Sequence, residues 1–194
     1  MRFVAVKSKE QQALLTMHRV RQLVVRQKTQ ILNVIRGLLR EFGHVIRTGP
    51  VAAMRFVKAF ETDDCPDIPD LGKSVLKTLC DQVSTLHDRV VFYDKLIEYH
   101  SRIDERAKRI RTVPGVGPIT ASAIVATIGD GKQFKNGREF AAWLGLTPLN
   151  KSSGGKERLG GISKKGDRYI RRLLVIGMTS QVQRAHGYPE RVHP

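Results

Sequence analysis

Two adjacent serines, Ser152 and Ser153, sit in the run LTPLNKSSGGKERLGGISKKGDRYIRRLL, residues 146–174. Around them come Lys151, Lys156, Arg158, Lys164, Lys165, Arg168, Arg171 and Arg172, against only Glu157 and Asp167. A segment of this charge is suited to a phosphate backbone, because each cation that meets a phosphate releases a condensed counterion. Glycines at 154, 155, 160 and 161 let the backbone approach a ligand without Cβ clashes and leave N–H groups to form an anion-binding concavity. A serine hydroxyl held there could attack phosphorus, with the cationic shell stabilising charge on the phosphoryl oxygens. A hydroxyl is a weak nucleophile and needs a base or a metal, and neither stands beside it in sequence. The structural alternative is a Ser/Gly loop leading into a basic helix.

Metal-assisted phosphoryl transfer needs two to four converging carboxylates. Asp63, Asp64, Asp67 and Asp70 crowd one turn, where capping and solvation account for them, and Asp88, Asp94 and Glu98 fall on polar helix faces. The six histidines form no HExxH set, and Cys65 and Cys80 have no ligand spacing. No residue set in this chain is read as a metal site.

The global numbers agree with a polyanionic partner. The chain of 194 residues carries 34 Lys+Arg against 18 Asp+Glu, a net charge of +16, which repels itself unless neutralised. No apolar run approaches spanning length and no signal peptide opens the chain, so the expectation is a cytoplasmic protein with no membrane partner and reduced thiols.

The elements that must position the loop are helical. From Lys9 to Phe42, Met17, Val24, Ile31 and Leu38 recur every seven residues with Val20, Val34 and Ile35 between them, which predicts a long helix with a coiled-coil-like seam. Gly43 and Gly49-Pro50 end it, and a short helix around Phe56, Val57 and Phe60 precedes a turn at Thr62-Asp63-Asp64-Cys65-Pro66. From Leu71 to Arg111, Leu76, Leu79, Val83, Leu86, Val90, Tyr93, Ile97 and His100 alternate three and four apart, predicting a second long helix that packs antiparallel on the first or on a second copy. Pro114-Gly115-Val116-Gly117-Pro118 then leads into a small-residue helix, Ile119 to Ile128. A Gly-Val-Gly hairpin of this form can turn Gly115, Gly117 and the following helix N-terminus toward a phosphate, as in a helix-hairpin-helix motif; a tight interhelical turn is the plainer alternative. Asn136-Gly137 starts a short helix whose Phe140 and Trp143, with Phe134, read as core. Ser163 or Asp167 caps a final helix to Arg184, with Ile170, Leu173, Leu174, Ile176 and Gly177 inward and Arg168, Arg171 and Arg172 outward. The tail from His186 reads as frayed.

Three motifs in order, VPGVGPITASAIVATIGD, FKNGREFAAWLGLTP and SSGGKERLGGISKKGDRYIRRLL, resemble the C-terminal transposase domain of the insertion sequence 110 family, RNA-guided recombinases with a DEDD carboxylate set. The opening stretch, residues 1–43, is similar to the segment that follows the RuvC-like nuclease domain in those proteins. The resemblance implies DNA breakage and rejoining by a serine nucleophile, guided by a noncoding bridge RNA. Mg²⁺ would be held by acidic residues of the RuvC-like domain, most of which this chain lacks. The family's serine precedes the glycine of the loop, here Ser153, with Ser152 as runner-up. A chain with the serine but without the carboxylates is expected to bind no metal alone and to be inactive alone.

The expected fold is all-α. Residues 1–112 hold the end of the RuvC-like domain and coiled-coil helices, which also serve homo-oligomer formation. Residues 113–194 form a small transposase domain with the helix-hairpin-helix and serine loop. The alternative functions are a non-catalytic basic module that grips DNA or RNA, and an oligomerisation piece whose charge is incidental.

Overall fold

The structure, a computed structural model, describes residues 6–62, 66–152, 155–156 and 158–187. The turn residues 63–65, the tail from 188 and Ser153 lie outside the described residues. Among those described, the fold is helical: α1 (Lys9–Glu41), α2 (Pro50–Glu61), α3 (Asp70–Ile103), α4 (Glu105–Ile110), α5 (Pro118–Ile128), α6 (Gly137–Trp143) and α7 (Arg168–Gly187). One small antiparallel hairpin, β1 (Pro148–Asn150) and β2 (Leu159–Ile162), interrupts them. No described helix is long and apolar enough to cross a membrane.

The chain divides into two compact units, residues 17–96 and the two chain ends up to Thr16 and from Ile97. This differs from the division at residue 112 suggested by the sequence. The reason is local: Gln11 in the first turn of α1 donates to the Val125 carbonyl at 3.5 Å, which ties that turn to α5. The start of α1 is closed by a reciprocal box that the sequence reading passed over. Gln11 N–H donates to Ser8 Oγ (3.2 Å) and Ser8 N–H to Gln11 Oε1 (2.9 Å), satisfying two helix-end donors.

In the unit of residues 17–96, α1 and α3 run antiparallel. Arg21 is ion-paired with Asp94, and Lys28 Nζ lies 3.4 Å from His87 Nδ1, so seven residues forward on α1 match seven back on α3. Leu32, Ile35 and Leu39 share one core with Leu76, Cys80 and Val83, capped by Ala53, Val57 and Phe60 of α2. Val24 packs with Leu86 and Val90. The seam is therefore rotated from the expected one: Val34, predicted inward, is 47% exposed, while Leu32 and Leu39 are buried. Periodicity finds the helix and its spacing but fixes the facing stripe only to within a residue.

The second long helix is not continuous to Arg111. At Asp104 the backbone turns extended (φ −81°, ψ 114°), and its carboxylate accepts from the N–H groups of Arg106 and Ala107, starting α4 as an N-cap. The Arg106 guanidinium on that carboxylate, at 2.7 and 3.1 Å, holds the Asp104 pKa below its usual range.

In the other unit α5 is the central rod. Its small side chains from Thr120 to Ala126 are buried all round, which lets α4 and α7 approach closely. Ala107 packs against Ala121 and Val125, and Ile170 against Ala123, Ile124 and Leu144. Asp167, not Ser163, caps α7, accepting from Tyr169 and Ile170 N–H at 2.8 and 2.9 Å. The inward face of α7 is shorter than expected, for Ile176 is 52% exposed.

Candidate nucleic-acid interface

The serine loop is the tip of the β1–β2 hairpin, paired Pro148 to Ile162 and Asn150 to Leu159 with an irregular register between. Its strands are largely exposed, Leu159 to 73%, so the hairpin stands off the helices rather than packing into them. What holds it is its base. Ser163 N–H donates to the Thr147 carbonyl (2.9 Å) and Lys164 N–H to the Gly145 carbonyl (3.0 Å). A Cβ on Gly145 would overlap the Lys165 backbone, and one on Gly166 would overlap the Trp143 carbonyl oxygen. Both glycines have positive φ, and Lys164 itself is held at φ 54°. Segments 143–147 and 163–166 therefore touch backbone to backbone, a contact only glycine permits.

Arg171 closes this base. Its Nη1 donates to the Leu144 carbonyl at 2.7 Å and reaches the Lys165 carbonyl at 3.5 Å. The sequence places Arg171 on the outward face of α7 beside Arg168 and Arg172. The structure turns it partly inward, since two carbonyls at the hairpin base need a donor that spans both. Arg168 and Arg172 remain exposed, as do Lys151, Lys156, Arg158, Lys164 and Lys165. No ion pair among the described residues involves them, so their charge is offered to the outside.

At the tip, Ser152 is exposed and works within the turn. Its N–H donates to Asn150 Oδ1 (2.8 Å), its Oγ accepts from Arg158 N–H (3.0 Å), and Lys151 N–H donates to the Arg158 carbonyl (2.8 Å). The Ser152 oxygen thus folds the loop back on itself. Ser153 is the next residue outward in sequence and lies outside the described residues.

The Gly115 and Gly117 turn divides in role. Gly115 (φ 82°) presses on α7: a Cβ there would sit 3.1 Å from the Gly177 backbone, and one on Gly177 would overlap the Gly115 carbonyl. Gly115 is first a spacer between the turn and α7. Gly117 is exposed, N-caps α5 ahead of Pro118, and has open space where its Cβ would be. Gly145, Gly166 and Gly177, which the sequence reading gave no part, are what position the site. Their only signal was a glycine inside or at the edge of an apolar helical run. No group of three or more His, Cys, Asp or Glu converges among the described residues, so this donor set does not fit a divalent cation.

Residues 107–192 match the model of the transposase IS116/IS110/IS902 family. A probable family 20 transposase of Pseudomonas aeruginosa is 45% identical over 184 residues, covering 94% of this chain and 54% of the relative. The transposase for insertion sequence element IS1328 of Yersinia enterocolitica is 37% identical, covering 90% of this chain and 52% of its own. The transposase for insertion sequence element IS1111A of Coxiella burnetii is 33% identical, over 91% of this chain and 49% of the relative. The chain spans about half the length of these curated relatives.

Proposed function

Because this chain belongs to the IS116/IS110/IS902 family of transposases, we propose that it is the DNA-gripping, serine-bearing portion of a transposase that breaks and rejoins DNA under guidance of a bridge RNA. One observation carries the reading: a hairpin anchored by backbone contacts at Gly145, Gly166 and Arg171 presents its serine tip among seven exposed, unpaired cations, Lys151, Lys156, Arg158, Lys164, Lys165, Arg168 and Arg172. An anchored base with a charged tip is what phosphodiester chemistry needs. The base supplies position, and the cations hold the phosphates on either side of the reacting one.

Ser153 is the nucleophile in this reading. Its hydroxyl gives up a proton, bonds to phosphorus and releases one strand end as a hydroxyl, leaving the other joined to the protein. Ser152 is the runner-up, but its Oγ already accepts from Arg158 N–H, which suits a loop-shaping role. Mg²⁺ would be held by carboxylates from outside this chain, whose own acids do not gather, and no step is assigned to it here. The chain alone is then inactive. Self-association would use the outer face of α3, where Val75, Phe92 and Tyr99 are exposed, since Val83 and Val90 are consumed by packing within the chain.

The test supplies the remainder of a full-length relative in trans and looks for a covalent protein–DNA adduct. Ser153→Ala should abolish the adduct and leave DNA affinity and its salt dependence within about two-fold, because a hydroxyl adds little to a charge-driven contact. An adduct that persists in Ser153→Ala and disappears in Ser152→Ala would move the nucleophile one residue. Persistence in both would leave the second reading, a basic module that grips nucleic acid without chemistry. Lys164→Ala with Lys165→Ala should weaken binding to all sequences alike and reduce the salt slope by about two.

A further inference from the structure

Phe134, Phe140 and Trp143 read in the sequence as a buried aromatic core, and the structure assigns only one of them that place. Phe140 packs against the core of Ala123, Ile124 and Leu144. Trp143 stands at the surface, 40% exposed, with Phe134 edge-on at 5.6 Å and Phe140 nearly parallel at 6.2 Å. The two phenylalanines back the indole on the protein side and leave the rest of it to solvent. An indole is the largest apolar side chain, and leaving it part-open forgoes stabilisation that complete burial would give.

The ring is also held still. α6 is capped at Asn136, whose Oδ1 accepts from Glu139 N–H at 3.0 Å. The Trp143 carbonyl abuts Gly166, and the next carbonyl, of Leu144, is fixed by Arg171. The segment on which Trp143 rests carries exposed Lys164, Lys165 and Arg168, while Lys135 and Arg138 stand exposed on the chain leading to it. The acids nearby are engaged: Asp130 pairs with Lys132 at 3.0 Å, Glu139 accepts from Lys135 N–H, and Asp167 caps α7. A fixed, half-open aromatic face flanked by cations with no free carboxylate is the arrangement that binds single-stranded nucleic acid, bases stacking on the ring and phosphates meeting the lysines.

We infer that Trp143 is a stacking platform for an unpaired base of a nucleic-acid strand whose phosphates are held by Lys164, Lys165 and Arg168. The inference rests on the nucleic-acid reading above and adds to it a second contact, one that reads an opened strand rather than a duplex. It places base recognition on α6 and leaves the hairpin tip to the phosphodiester.

Trp143 is the chain's single tryptophan, so its fluorescence reports the platform directly. The full chain is titrated with an oligo-dT, an oligo-U, an abasic strand of equal length and a duplex. Stacking requires that dT or U, or both, quench the indole, and the stronger of the two tells whether DNA or RNA supplies the base. The abasic strand should bind through its phosphates with little quenching. Trp143→Ala should weaken single-strand binding about ten-fold or more and leave duplex binding unchanged. Trp143→Phe should keep most of that affinity and a wild-type melting temperature, which guards against a folding defect.

Equal quenching by the abasic strand, or equal single-strand affinity in Trp143→Ala, overturns the platform while leaving the phosphate contacts standing. A change in solution mass in Trp143→Ala without loss of strand binding would make the covering partner a second copy and also overturn it. Failure of every oligonucleotide to bind would remove the broader nucleic-acid reading, and this inference with it.

Discussion

Between Met17 and Leu96, chain segments are held in register by side chains seven residues apart; at the base of the serine hairpin they are held by backbone touching backbone. In the first region Arg21 finds Asp94 and Lys28 finds His87, while Leu32, Ile35 and Leu39 fill the space beside Leu76, Cys80 and Val83. Each contact is one of many, and a neighbour can yield to a change. In the second, Gly145 meets Lys165 and Gly166 meets Trp143 with no side chain between them. Nothing there can yield except the main chain. The difference suits the tasks: a helical pair has only to persist, whereas a loop that offers a hydroxyl to phosphorus must be positioned to within a fraction of an ångström.

The comparison is broken most directly at Gly145. Gly145→Ala puts a methyl into the Lys165 backbone at φ 71°, combining overlap with a left-handed conformation. The expected loss is ~3 kcal/mol or more in chemical unfolding, with loss of nucleic-acid binding at the hairpin. Gly37→Ala in α1, where nothing lies within 4 Å of the added Cβ, should instead stabilise by about 0.5–1 kcal/mol. If both variants unfold at the same denaturant concentration, the hairpin base is as compliant as the helical pair.

That contrast also explains what was legible in the sequence. Heptad spacing gave α1 and α3 because one side chain in three or four must be apolar, and that leaves a pattern. It could not show that Val34 turns outward, because neighbouring stripes of α1 are both apolar. The cap at Asp104 was invisible for a related reason: the apolar rhythm continues through Ile103 to Ile110 across the break. At the site, the charge around Ser152 was legible from composition alone. The geometry that aims it was not, since Gly145, Gly166 and Gly177 act by what they lack. Arg171 was misplaced because helical phase puts it beside Arg168 and Arg172, and no local rule tells which arginine finds two carbonyls. Trp143 was read as core because an aromatic at helical spacing usually is.

A second way to sharpen the comparison is acid. His18 on α1 is buried, and desolvation, with Arg21 adding to it, lowers its pKa from 6.5 to about 4. The neutral ring is the folded form. Above pH 6.5 folded and unfolded chains both carry it neutral, and no stability is lost. As pH falls toward 4 the unfolded chain takes up a proton that the folded one refuses, so stability drops by up to about 3 kcal/mol. Denaturant midpoints between pH 7 and pH 4 should fall in the wild type and fall less in His18→Leu. The hairpin base contains no titrating contact of this kind among the described residues, so equal pH slopes in the two proteins would remove His18 as the cause.

The smallest effect is the most telling about register. Arg21 is 17% exposed and Asp94 40%, so water screens their ion pair, and Asp94→Ala should cost about 1 kcal/mol or less. Replacing Arg21 and Asp94 together by leucine should cost nothing or stabilise, because desolvation offsets most of what the pair contributes. What the double variant should lose is selectivity: with one polar pair gone, α1 can slide by a heptad against α3 at little cost, and amide spectra of residues 17–96 should broaden while the melting temperature holds. A coupling energy in the Arg21/Asp94 double-mutant cycle as large as the Gly145→Ala loss would mean that side chains, too, can fix a segment as rigidly as backbone contact does.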